Sequence, residues 1–87
     1  MIYYGTEEQL VQTAEEASEL AQAALKVRRA SKPEDKVAAL NHLKEEMADV
    51  VVMLDQVMYA YDYEGEVAQI AEAKTDREVS RITKEVG

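Results

Sequence analysis

Two acid pairs hold most of the chemistry this sequence offers. Glu16 and Glu19 stand three apart in Glu15-Glu16-Ala17-Ser18-Glu19-Leu20. Glu46 and Asp49 stand three apart in Leu43-Lys44-Glu45-Glu46-Met47-Ala48-Asp49-Val50. On a helix, residues at this spacing share one face, a turn apart, so each pair points one way. Both pairs are set into apolar runs with no nearby basic partner, and acids there are costly unless something neutralises them. Two helices side by side would bring four carboxylates together. The simplest way to hold four like charges at close range is a divalent cation. Carboxylates are hard oxygen ligands, suited to Mg²⁺ and also to Mn²⁺. Dimetal carboxylate bundles add inward-facing histidines at an i, i+3 spacing. The only histidine here, His42, lies seven residues before Asp49, which disfavours a di-iron site.

The elements that must position these acids can be read from periodicity and caps. Thr6-Glu7-Glu8-Gln9 fits a capping box, opening a helix that runs to about Ala30 with Leu10, Ala14, Ala17, Leu20, Ala21, Ala24 and Val27 as its apolar stripe. Acids early in this helix and Lys26, Arg28 and Arg29 late in it complement the helix dipole. Ser31-Lys32-Pro33-Glu34 is a break, with Ser31 able to cap the next helix and Pro33 suited to a first turn. Val37, Ala38, Leu40, Leu43 and Met47 resume the pattern. The expectation is one long helix from about 33 to 62, or a shorter one broken near Asn41. Tyr61-Asp62-Tyr63-Glu64-Gly65 is the second break, with Gly65 as a left-handed cap. A last helix follows from about Glu66 to Glu85, carrying Val67, Ile70, Ala71, Val79, Ile82 and Val86. Ile2, Tyr3 and Tyr4 make Met1–Gly5 an arm apolar enough to dock onto the bundle or a neighbouring subunit.

Composition narrows the class. The chain has 87 residues, 47% of them hydrophobic, with three Gly, one Pro and no Phe or Trp. One domain of this size buries roughly 60–65% of its unfolded surface. The core of a single copy is therefore thin, and an all-α antiparallel bundle of three to four helices, completed by oligomerisation, is expected. The net charge of −8 argues against a nucleic-acid binder. It leaves room for a small phosphorylated ligand once cations sit among the acids. Without Cys there is no disulfide, thiolate site or Cys nucleophile. No long apolar run or leader pattern marks a membrane or secreted protein, so a cytoplasmic location is expected. The only glycines, Gly5, Gly65 and Gly87, cannot form a P-loop, so phosphates would fall to metal and to Lys or Arg. Lys74, Arg77, Arg81 and Lys84 are the candidates, with ordinary surface charge at least as strong an expectation for each. Asn41 and His42 are able to hydrogen-bond a base, and Tyr59 and Tyr63, four apart, to stack on one; a solvated helix surface is the stronger expectation for His42, and packing for the tyrosines.

Glu15-Glu16-x-x-Glu19, a gap of 26 residues, and Glu46-x-x-Asp49 resemble the signature of the MazG-like all-α nucleoside triphosphate pyrophosphohydrolases. The Lys74-x-x-Arg77-x-x-x-Arg81 run is similar to the basic stretch of that family's last helix, so the likeness spans nearly the whole chain. It implies a four-helix module that forms a dimer or a dimer of dimers. It also implies cleavage of an NTP or dNTP to monophosphate and pyrophosphate by metal-activated water. Carried over by position, Glu16, Glu19, Glu46 and Asp49 become Mg²⁺ ligands. Glu15, about 100° round the helix, suits work as a base, and Glu45 is a second spare carboxylate for that task. The competing expectation is a non-catalytic acidic helical interaction module, an antitoxin- or adaptor-like dimer.

Overall fold

The computed structural model describes residues 6–86, and their side chains from 7 to 84. The arm expected at Met1–Gly5 lies outside the described residues. Three helices follow one another: α1 (Thr6–Arg29), α2 (Pro33–Tyr61) and α3 (Glu64–Val86). There is no strand among the described residues, so the all-α class holds, with three helices in one chain. Among the described residues no helix is long and apolar enough to cross a membrane.

α1 and α2 form an antiparallel hairpin joined through Ala30–Lys32. The end of α1 is closed by the Ala30 amide, which donates to the carbonyls of Lys26 and Val27. α2 starts with Pro33 in its first turn, where a missing amide hydrogen costs nothing. Ser31 does not cap it, contrary to expectation. The cap position falls to Lys32, whose extended backbone (φ −85°, ψ 141°) lets its carbonyl accept from the Lys36 amide at 2.9 Å. Asn41 and His42 sit within the continuous α2, since neither is a strong breaker when both neighbours are helical.

Two stripes make the seam. On α1 the inward residues are Gln9, Thr13, Glu16, Leu20, Ala23 and Val27; on α2 they are Ala39, Leu43, Glu46, Val50, Met53 and Val57. Both alternate four and three, the spacing of helices that keep one face together over several turns. On α2 the sequence pattern holds at Leu43, whereas Val37, Ala38, Leu40 and Met47 are exposed. On α1 it holds at Leu20 and Val27, whereas Leu10, Ala14, Ala17, Ala21 and Ala24 are exposed. α1 carries apolar residues on two faces, and periodicity alone does not say which of them meets α2. The face that does is the more polar one. Gln9 is only 1% exposed and donates its side-chain amide to Oε1 of Gln56 at 3.4 Å; the side chain of Thr6, on which the expected capping box depends, lies outside the described residues.

α2 ends at Asp62 in the left-handed conformation (φ 58°), and the Tyr63 amide reaches back to the Met58 carbonyl at 2.9 Å. The expected cap, Gly65, instead lies inside α3. Aspartate tolerates the left-handed region, which lets the turn close three residues earlier. Tyr63 stacks on Tyr61 with ring centroids 5.3 Å apart, so it does not share a helix face with the exposed Tyr59 as its spacing suggested. α3 then leaves the hairpin. It meets α2 sparsely and α1 nowhere among the described residues. The chain measures 42 × 40 × 16 Å.

Candidate metal centre

The hairpin brings the two acid pairs face to face midway along the seam. Glu16, Glu46 and Asp49 each offer a carboxylate oxygen, and these oxygens lie within 4.8 Å of one another. Glu16 and Glu46 belong to the inward stripes, whereas Asp49 sits at the exposed rim. Gln12 fixes Glu16 by donating to its Oε1 at 3.1 Å. The other oxygen, Oε2, is buried without a partner, and so is Oε2 of Glu46. An oxygen buried in that state costs about 1–3 kcal/mol, and more when it is charged. No Lys or Arg forms an ion pair with any of these acids among the described residues.

Glu19 completes the quartet from the exposed side. Its carboxyl is held above the ordinary carboxylate range. The negative charge of Glu16 is the largest cause, followed by that of Glu46, partial desolvation, a hydrogen bond with Glu46, and the charge of Asp49. That hydrogen bond needs a proton between the two groups, since two ionised carboxylates cannot make it. Four acids thus converge on the seam with no Lys or Arg paired to them among the described residues. The donor set is all oxygen, and a hard divalent cation such as Mg²⁺ fits it, satisfying both orphaned oxygens and relieving the repulsion on Glu19.

Of the remaining sequence candidates, Glu15 and Glu45 flank this centre and the cations of α3 do not. Glu15 is exposed on a shelf that leads to Glu19, with Ala14, Ser18 and Gln22. Glu45 points to solvent and faces Nδ1 of His42 at 3.9 Å, while Nε2 of the same ring lies 3.6 Å from Oε1 of Glu46. His42 is thus exposed on the α2 surface, as expected, at the edge of the centre. Lys74, Arg77 and Arg81 are exposed on α3, and Arg81 pairs with Glu78 of its own helix. Since α3 does not approach α1, the chain does not bring these cations to its own acids. The cations that do flank the centre are Lys26 and Arg29, which line one groove with Glu19 and Glu46. The sequence reading gave them only to the helix dipole. The signal was present: Lys26 is seven residues from Glu19 and so shares its face.

Comparison with protein families, characterised proteins and solved structures finds no match for this chain.

Proposed function

We propose that the chain is a Mg²⁺-dependent nucleotide pyrophosphohydrolase of the MazG-like kind, turning an NTP or dNTP and water into the monophosphate and pyrophosphate. The observation that carries this reading is the cluster of Glu16, Glu46 and Asp49, with two buried oxygens unpartnered and no Lys or Arg paired to it. Bound Mg²⁺, with Mn²⁺ as an alternative, would neutralise phosphate charge and acidify the attacking water. The chain's own residues do the rest. Glu16, Glu46 and Asp49 supply ligands from two helices, and Glu19 joins them as its proton leaves. Gln12 keeps the Glu16 carboxylate turned into the seam. Glu15, on the shelf beside Glu19, is placed to take a proton from the water, and Glu45 holds the orientation of His42.

Assembly belongs to the same reading. Leu40, Met47, Val51 and Leu54 form a second stripe on α2, and every described side chain of α3 is exposed, including Ile70 and Ile82. Apolar surface on this scale marks an interface. A homodimer or homotetramer would cover it. A second copy's α3 would also carry Lys74, Arg77 and Arg81 toward the acids that its own chain leaves distant.

Pyrophosphate release from each common NTP and dNTP, with Mg²⁺ and with chelator, tests the reaction. Release should depend on metal, and Glu46→Gln or Asp49→Asn should abolish it with helical circular dichroism unchanged. Full turnover in both variants would remove the metal-centre reading. No release from any nucleotide, with no effect of Mg²⁺ on melting, would favour the acidic interaction module instead.

A further inference from the structure

Beside the acid cluster the seam opens into two adjoining hollows of about 690 and about 410 Å³. The larger has Glu19 and Glu46 at one end. The smaller is lined also by Ala30, Asp35, Ala38 and Ala39. Lys26, Arg29 and His42 line both, so they form the waist of one continuous groove. We propose that this waist is an anion site that grips the terminal phosphates of a metal-bound polyphosphate, an inference that rests on the metal-centre reading above.

Geometry and charge both support it. Lys26 is seven residues beyond Glu19, about 10 Å along α1. Side chains on a helix lean toward its N-terminus, so Lys26 and Arg29 reach back toward the carboxylates. α2 runs the other way, and His42 leans from it toward Arg29. Neither cation forms an ion pair among the described residues, although Glu19 and Glu46 line the same hollow. Their donors are therefore available. A chain of net charge −8 repels a polyphosphate over most of its surface. The groove is the place where that repulsion is reversed, by a cation held among acids at one end and by an ammonium and a planar guanidinium next to it. The last phosphates then lie along Lys26 and Arg29, and affinity rises with phosphate number.

The test is calorimetric titration of the intact protein with Mg²⁺-tripolyphosphate, pyrophosphate and inorganic phosphate. Wild type should bind tripolyphosphate most tightly. Lys26→Gln with Arg29→Gln should weaken it about tenfold or more and flatten its salt dependence. The melting shift produced by Mg²⁺ alone should survive in that variant, since both side chains are exposed. Wild-type affinity in the variant, or loss in Lys74→Gln with Arg77→Gln instead, overturns the inference and leaves the metal reading standing. Binding that needs Lys26 and Arg29 but ignores both chelator and Glu46→Gln keeps the anion site and removes the metal. No binding by wild type overturns both.

Discussion

Glu19 reports the electrostatic state of the whole centre. Its carboxyl keeps a proton to a higher pH in the folded chain than its ordinary value of 4.5, chiefly because Glu16 and Glu46 are close. Above that value the native state binds more protons than the unfolded one, so stability is greatest below it and falls as pH rises through the raised native value. The metal-free protein should therefore resist denaturant better near about pH 5 than near about pH 7 as far as this group is concerned. Glu19→Gln should shrink that difference and raise melting at neutral pH. Millimolar Mg²⁺ should oppose the trend, since a cation is held best by ionised carboxylates. Denaturation curves at the two pH values, with and without metal, read all three effects. A Glu19→Gln variant with the wild-type pH dependence would show that the carboxyls do not interact. The acids themselves were legible in the sequence, because a three-residue spacing fixes a helix face whatever the tertiary fold. That they would meet depended on the register of two helices, which no local pattern carries.

At the level of elements, the register has a physical source in the Gln9–Gln56 pair. Counting seven residues inward from each glutamine places Glu16 opposite Asp49, and ten places Glu19 opposite Glu46. A buried polar side chain with one specific partner penalises slipped pairings, which would leave it unpaired. Gln9→Ala should lower stability by about 1–3 kcal/mol and weaken the Mg²⁺ melting shift, although Gln9 touches no acid of the cluster. Replacing both glutamines with leucine should restore stability to denaturant without restoring the metal shift. The rest of the seam is ordinary packing: Met53 is nearly buried, and Met53→Ala should cost about 2–5 kcal/mol by chemical denaturation. Helix existence was readable because α1, α2 and α3 each keep an apolar period over many turns. Helix ends were less so. Ser31 and Gly65 are the favoured residue types for caps, but Lys32 and Asp62 occupy the positions, since a helix ends where the chain must turn. The inward face of α1 was misread for a related reason: Leu10 and Ala14 are more apolar than Gln9 and Thr13, and only α2 decides between the two faces.

The whole molecule is too open for its length. Its radius of gyration is 16.6 Å, whereas a compact chain of this length comes to about 12 Å. The excess is α3, which lies apart from α1 with its apolar residues exposed. Sedimentation should give a mass that is a multiple of 9.8 kDa. Ile70→Asp with Ile82→Asp should reduce it to one copy while Gln9, Glu16 and Glu46 keep their seam. Scattering from that variant should then return a radius near 16.6 Å; a smaller value would mean that α3 folds back on its own hairpin. The detached third helix also ties folding to abundance. A helix that packs only sparsely on its own chain depends on other copies, by mass action, for its stability, so the midpoint of unfolding should climb with protein concentration. On the assembly proposed here, dilution would first release α3 and with it Lys74, Arg77 and Arg81. The copy number of the protein would thereby become a dial on its own competence, low when the chain is scarce and full once copies meet.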